Sequence, residues 1–109
     1  MQKRSNISVI VPTYNEEQNV DLLVERLDRA FTKEDIVYEI IFIDDHSKDG
    51  TYEAATRLSA KYPVTIERKK GIKGKAHSLL QGFNRVNYEL VAIIDADLQY
   101  PPEAIPGMM

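Results

Sequence analysis

The chain has 109 residues, enough for one small core and too few for two domains. Its 43% hydrophobic and 28% charged content is ordinary for a globular protein, and a net charge of −3 excludes nucleic-acid binding as a whole-surface property. The absence of cysteine excludes a disulfide framework and a thiolate metal site, and no apolar run approaches the length of a membrane span.

Met1 to Asn6 is short and polar and reads as a flexible N-terminus, without the apolar stretch of a signal peptide. A domain over residues 7–109 in the cytoplasm is the expectation. Ile7-Ser8-Val9-Ile10-Val11 predicts the first strand. Pro12-Thr13-Tyr14-Asn15-Glu16 follows it. Tyr14 offers an aromatic face for a base and Glu16 an acceptor for a ribose hydroxyl or a base N–H, although a tyrosine near a helix start also serves as packing. Val20, Leu23, Val24, Leu27 and Phe31 recur at helical spacing and predict the first helix. Asn15 is the expected N-cap, with Gln18 completing a capping-box-like pair.

Glu39-Ile40-Ile41-Phe42-Ile43 predicts a second strand buried on both faces. Asp44 and Asp45 stand at its end. Either they accept hydrogen bonds from a ligand's base or ribose, or one of them caps the helix that follows Asp49-Gly50. Tyr52, Ala55, Leu58 and Tyr62 mark that helix, which Pro63 ends.

Val64-Thr65-Ile66 predicts a third, short strand. Arg68, Lys69, Lys70, Lys73 and Lys75 then flank Gly71 and Gly74 ahead of a third helix, marked by Ala76, Leu79, Leu80, Phe83 and Val86. Glycines and lysines at a helix start favour a diphosphate, although a basic loop is more commonly just a solvated face. Ala76 follows Lys75, so a P-loop reading fails. His46 and His77 lack partners at the spacing of a nucleophilic triad.

Leu90-Val91-Ala92-Ile93-Ile94 predicts a fourth strand, again apolar on both faces. It delivers Asp95 and Asp97, which share one side of an extended backbone. Two such carboxylates repel unless a cation compensates. A hard divalent ion, Mg²⁺ or Mn²⁺, suits them and shares its coordination with a substrate phosphate. Gln99 offers a third oxygen. The other reading is a solvated turn. Pro101 and Pro102 stiffen the next segment, and Pro102-Glu103-Ala104-Ile105 reads as a first helical turn.

The order β-α-β-α-β-α-β argues for an α/β fold with a mainly parallel sheet and helical crossovers. Ligands of such sheets bind at the C-terminal strand ends, where all four polar segments fall.

Together Pro12-Thr13-Tyr14-Asn15-Glu16, the segment Asp44-Asp45-His46-Ser47-Lys48-Asp49-Gly50-Thr51, Gly74-Lys75-Ala76 and Asp95-Ala96-Asp97-Leu98-Gln99 resemble the inverting family 2 glycosyltransferases, in the branch that loads sugars onto polyprenyl phosphates. The resemblance runs from Ile7 to Ile105. It implies the GT-A fold, a Rossmann-like three-layer α/β/α sandwich of which this is the N-terminal, nucleotide-binding half. It implies a nucleotide-sugar donor linked to GDP or UDP, bound by Pro12, Tyr14, Glu16, Ile43, Asp45, Lys75, Ala96 and Asp97. It also implies Mg²⁺ or Mn²⁺ held by Asp95, Asp97 and Gln99, a catalytic part for Asp97, and a polyprenyl-phosphate acceptor.

Domains of this kind continue past the D-x-D with an acceptor half. The expectation is therefore a donor-binding half of a longer, membrane-associated protein, self-associating when isolated. Two other readings are a non-catalytic nucleotide and metal module of the same fold, and a sugar nucleotidyltransferase. The latter's glycine-rich signature after the first strand is missing. A phospho-receiver needs an aspartate after the third strand, where Glu67-Arg68-Lys69 stands.

Overall fold

The computed structural model describes residues 5–71 and 74–109. Four parallel strands, β1 (Asn6–Thr13), β2 (Val37–Asp44), β3 (Val64–Arg68) and β4 (Leu90–Ile93), form one sheet in the order β3-β2-β1-β4. Three helices make the crossovers: α1 (Glu17–Lys33), α2 (Thr51–Leu58) and α3 (Lys75–Phe83). Two 3-10 turns, Pro102–Ala104 and Pro106–Met108, end the described chain where a helical start was expected. Of the expected flexible N-terminus, residues 1–4 lie outside the described residues. Asn6 is already in β1, and Ser5 accepts a hydrogen bond from the Val37 N–H.

Side-chain alternation along the strands sorts the molecule into three layers. Ile7, Val9 and Val11 of β1 and Tyr38, Ile40 and Phe42 of β2 join one core with α1 and α2. The α1 residues there are Val20, Leu23, Val24, Leu27 and Phe31, the face that the helical spacing predicts. Each large aliphatic or aromatic side chain so buried contributes about 1.5–3 kcal/mol gross. Phe31 stacks on Tyr38 with centroids 5.2 Å apart. Burial, reinforced by a hydrogen bond from the phenol to Asp28, pushes the Tyr38 pKa up.

The opposite face carries Ile10, Ile41 and Ile43 and is covered by α3. That helix does not pack through its apolar residues. Its buried positions are Ser78 and Gly82, while Leu80 and Phe83 are 62% and 46% exposed. Gly82 is needed for this approach, since a Cβ there would stand 2.6 Å from Ile10 Cγ2. Val86 lies beyond the helix, in a turn whose Asn87 and Tyr88 N–H groups donate to Glu39 and Ser8.

Three other expectations are corrected. β4 is not buried on both faces: it is an edge strand, with Leu90 47% and Ile93 45% exposed. Asn15 does not cap α1. It adopts a left-handed φ of 54°, and its side chain accepts the Lys48 N–H instead. The start of α1 is capped from outside, with Glu16 N–H donating to Thr51 Oγ1 and Glu17 N–H to Asp49. α2 ends at Leu58, before Tyr62, whose N–H still returns to the Leu58 carbonyl.

Candidate active site

The C-terminal ends of the strands meet in a cavity of about 380 Å³. β1 and the turn after it supply Pro12, Thr13, Tyr14 and Glu16, the end of β2 supplies Asp45, the first turn of α3 supplies Lys75 and Ser78, and β4 leads into Asp95, Ala96 and Asp97. The parallel sheet with helical crossovers brings these distant segments to one edge.

The walls are held by a hydrogen-bond lattice between the first two strand tips. Asp44 is fully buried and accepts from Thr13 Oγ1 at 3.0 Å, Ser47 N–H at 3.0 Å and Ser47 Oγ at 2.5 Å. Ser47 Oγ in turn accepts the Asn15 N–H at 2.8 Å. Asp49 takes both the N–H and the hydroxyl of Thr51, and Glu17 takes the Gly50 N–H. Burial pushes the Asp49 pKa up, but the Thr51 hydroxyl, the Thr51 N–H and the Glu17 N–H outweigh it and leave it lowered. So the two acids after β2 divide their work: Asp44 is scaffold and Asp45 lines the cavity. Neither caps α2, a role that falls to Asp49.

Left-handed residues follow three strand ends: Asn15, His46 at φ 59° and Leu98 at φ 64°. A leucine there is strained by about 1–2 kcal/mol, offset by packing of its side chain against the core. The sharp turn aims the Gln99 N–H at Asp97 Oδ1, 3.1 Å away.

The basic segment does not act as one cradle. Arg68 stacks over Tyr52, Lys69 is buried, Lys70 is exposed, and Lys75 reaches Asp95 Oδ1 at 2.6 Å. Lys73 lies outside the described residues. Glu67, beneath this segment, is partly buried, which raises its pKa, yet Gln81 and Arg85 together bring it below the usual range.

Eight of the ten residues expected at the site line the cavity: Pro12, Tyr14, Glu16, Asp45, Lys75, Asp95, Ala96 and Asp97. Ile43 is fully buried, in register with Pro12, and is not on the lining. Gln99 is not on it either. Thr13 and Ser78 line it unexpectedly. Thr13 lies inside a motif already singled out, and Ser78 one helical turn after Lys75, where a small residue carries no hydropathy signal.

Among the described residues no group of three or more His, Cys, Asp or Glu is placed to enclose a metal. Asp95 and Asp97 nevertheless fit a hard divalent ion of the kind that completes its shell with phosphate and water, because both carboxylates border one cavity. A larger groove of about 490 Å³ runs along β4, but its lining is mostly apolar (Leu90, Ile93, Tyr100, Met108), so the chemistry sits in the smaller cavity.

A parallel sheet in the order β3-β2-β1-β4, with helical crossovers and its polar residues gathered at the strand ends, is the α/β arrangement of the GT-A glycosyltransferases. The chain matches the family described as "Glycosyl transferase family 2" over residues 8–109, and it belongs to that family. It is 43% identical to a dolichol-phosphate mannosyltransferase of Pyrococcus furiosus, over 94% of this chain and 29% of that protein. It is 33% identical to an undecaprenyl-phosphate 4-deoxy-4-formamido-L-arabinose transferase of Proteus mirabilis, over 99% of this chain and 34% of that one. Among solved structures it resembles a mannosyltransferase from Pyrobaculum calidifontis in complex with GDP-Man and Mn²⁺, with a TM-score of 0.74 and 30% identity over 94% of this chain and 30% of that one. The chain thus spans about a third of the length of these relatives. No described helix is long and apolar enough to cross a membrane.

Proposed function

We propose that this chain forms the donor-binding part of an enzyme that transfers a hexosyl group, with inversion, from a GDP- or UDP-linked sugar to a polyprenyl or dolichyl phosphate. The observation that carries this reading is the single cavity that gathers Tyr14, Asp45, Lys75, Asp95 and Asp97. The names of the relatives support the acceptor class. The chain spans about a third of their length, so donor binding alone is assigned to it, and acceptor binding to the longer protein.

In this reading Tyr14 packs on the base and Asp45 accepts its N–H, with Pro12 against Ile43 forming the wall behind them. Glu16 and the neighbourhood of the small, buried Ala96 take the ribose. Lys75 takes the diphosphate. Asp95 and Asp97, joined by Gln99 once its side chain swings to the cavity, would hold Mg²⁺ or Mn²⁺, whose charge would supply electrostatic stabilisation of the diphosphate leaving group. The acceptor oxygen forms a bond to the anomeric carbon as the bond to the diphosphate oxygen breaks, and the electron pair leaves with the diphosphate. An acceptor phosphate is already anionic, so no general base is required. The longer protein works at the cytoplasmic face of a membrane, where its lipid acceptor is presented.

Calorimetric titration of GDP- and UDP-sugars with and without Mn²⁺ tests the site. Binding that needs Mn²⁺ and weakens at least about tenfold in Asp97→Ala is expected, the scale of losing a ligand to a charged group. No binding with Mn²⁺ present, or no effect of Asp97→Ala, overturns the assignment. Robust sugar transfer by the 109-residue chain itself would overturn its restriction to donor binding.

A further inference from the structure

A buried ammonium sits behind the cavity without a part in the scheme above. The Lys69 side chain is 0% exposed, whereas its neighbours Arg68 and Lys70 are exposed. A lysine is almost never fully buried unless paired. Lys69 Nζ donates to the Gly74 carbonyl at 2.7 Å and stands 3.5 Å from Asp45 Oδ1. The Gly74 N–H donates back to Asp45 Oδ2 at 3.2 Å. The three groups therefore close a ring, anchored to the sheet where Lys69 N–H donates to the Asp44 carbonyl and Asp45 N–H to the Thr13 carbonyl.

Two features give this ring a use. Asp45 Oδ1 is buried and has no hydrogen-bond partner among the described residues, and at 3.5 Å the Lys69 ammonium supplies charge attraction rather than a good hydrogen bond. The Lys69 charge thus offsets the burial of that oxygen and fixes the carboxylate, whose side chain, 18% exposed, keeps its open part on the cavity. Gly74 holds φ 134° and ψ 147° immediately before Lys75, a backbone shape that other residues rarely adopt.

We infer that Lys69 is a positioning residue for base recognition: it clamps the Gly74 peptide against Asp45, so that the base-facing carboxylate and the start of α3 are set together. The inference rests on the donor-site reading above. It differs from a merely structural role in one respect, since losing the clamp misplaces the base acceptor more than the diphosphate end.

The test compares wild type, Lys69→Met, Lys69→Arg and Gly74→Ala by calorimetry with UDP, GDP and inorganic pyrophosphate, each with Mn²⁺, and by hydrogen exchange at the Gly74 amide. Removing one partner of a buried charge pair predicts at least about tenfold weaker nucleotide binding in Lys69→Met, no more than about threefold weaker pyrophosphate binding, and Gly74 exchange at least about tenfold faster. Lys69→Arg restores both. Gly74→Ala reproduces the nucleotide loss, and the Lys69→Met/Gly74→Ala pair is no worse than either single variant, as coupled sites require. Equal losses for nucleotide and pyrophosphate, or unchanged Gly74 exchange, overturn the inference. If Lys69→Met does not fold, Gly74→Ala decides, and equal losses there overturn it as well. If wild type binds neither nucleotide with Mn²⁺, the donor-site reading fails, while Gly74 exchange still decides whether the clamp exists.

Discussion

The Lys75 ammonium lies 2.6 Å from Asp95 Oδ1, so the first residue of α3 already neutralises one of the two carboxylates after β4. Without donor, this side chain stands where a divalent cation would compete for the same oxygen. Both groups are more than half exposed, at 57% and 52%, so the pair is worth about 0.2–1 kcal/mol. Lys75→Met is expected to tighten Mn²⁺ binding in the absence of nucleotide by a factor of about 1.5–5 and to weaken nucleotide binding in its presence. Calorimetry with MnCl₂ alone reads the first effect. Weaker Mn²⁺ binding in the variant would refute the competition.

Asp44 and Asp97 belong to motifs that look equally functional, yet they should separate cleanly on stability. Asp44→Ala strips a buried carboxylate from the Thr13 hydroxyl and from both the N–H and hydroxyl of Ser47, and is expected to cost about 2–4 kcal/mol in urea unfolding. Asp97 is exposed, and Asp97→Ala should change stability by less than about 1 kcal/mol while removing Mn²⁺-dependent binding. Comparable stability losses would mean the scaffold has been misassigned.

Gly82→Ala sets two effects against each other. Alanine favours the helix by about 1 kcal/mol. Its Cβ would meet Ile10 Cγ2 at 2.6 Å and two further atoms of that fully buried side chain at 3.3 Å, an overpacking worth about 3 kcal/mol at the upper end of the usual range. A net loss of about 1–2 kcal/mol is expected, and Ile10→Ala in the same chain should cost less than it does alone. A stabilised Gly82→Ala would show that α3 stands farther from β1.

Arg26 on α1 grips Glu103 with two hydrogen bonds, 2.7 and 2.5 Å long, and these hold the Glu103 carboxyl at a pKa of about 2, below its ordinary 4.5. A depressed carboxyl pKa stabilises the fold above the unfolded value, and that contribution is lost as pH falls through the folded value. The bridge should therefore be fully present above pH 4.5 and fade toward pH 2. Glu103→Gln should flatten the acid limb of stability in that window, followed by thermal melts at several pH values. An unchanged limb would leave the bridge without weight.

β4 pairs with β1 alone among the described residues, and Leu80, Phe83, Leu90 and Ile93 are all more than 40% exposed. Exposed strand edges and apolar patches drive association. Sedimentation of the isolated chain should show concentration-dependent self-association that Ile93→Lys suppresses. A monomer at all concentrations would count against it.

Much of this was legible from residue patterns, for identifiable reasons. β-branched runs marked the strands, and α1 announced its buried face because five large apolar residues fill it. α3 misled because it packs by smallness: Ser78 and Gly82 touch the sheet, and neither registers as hydrophobic. β4 misled because its apolar run is the same whether a strand is central or at an edge. Asn15 had the chemistry of a cap but is spent on Lys48 and Ser47, a tertiary contact that local patterning does not encode. The burial of Lys69 between two exposed cations was likewise invisible, since adjacent basic residues look alike until the chain folds.

The lattice that joins the first two strand tips also bears on how the donor preference of such a site can change. The side chains of Asn15, Ser47, Asp49 and Thr51 accept the backbone N–H groups of Lys48, Asn15, Thr51 and Glu16, while the Tyr14 and Glu16 side chains, interleaved with them in sequence, line the cavity. A protein engineer who wishes to retune the site for another sugar nucleotide can graft new side chains at those interleaved positions and leave the frame untouched.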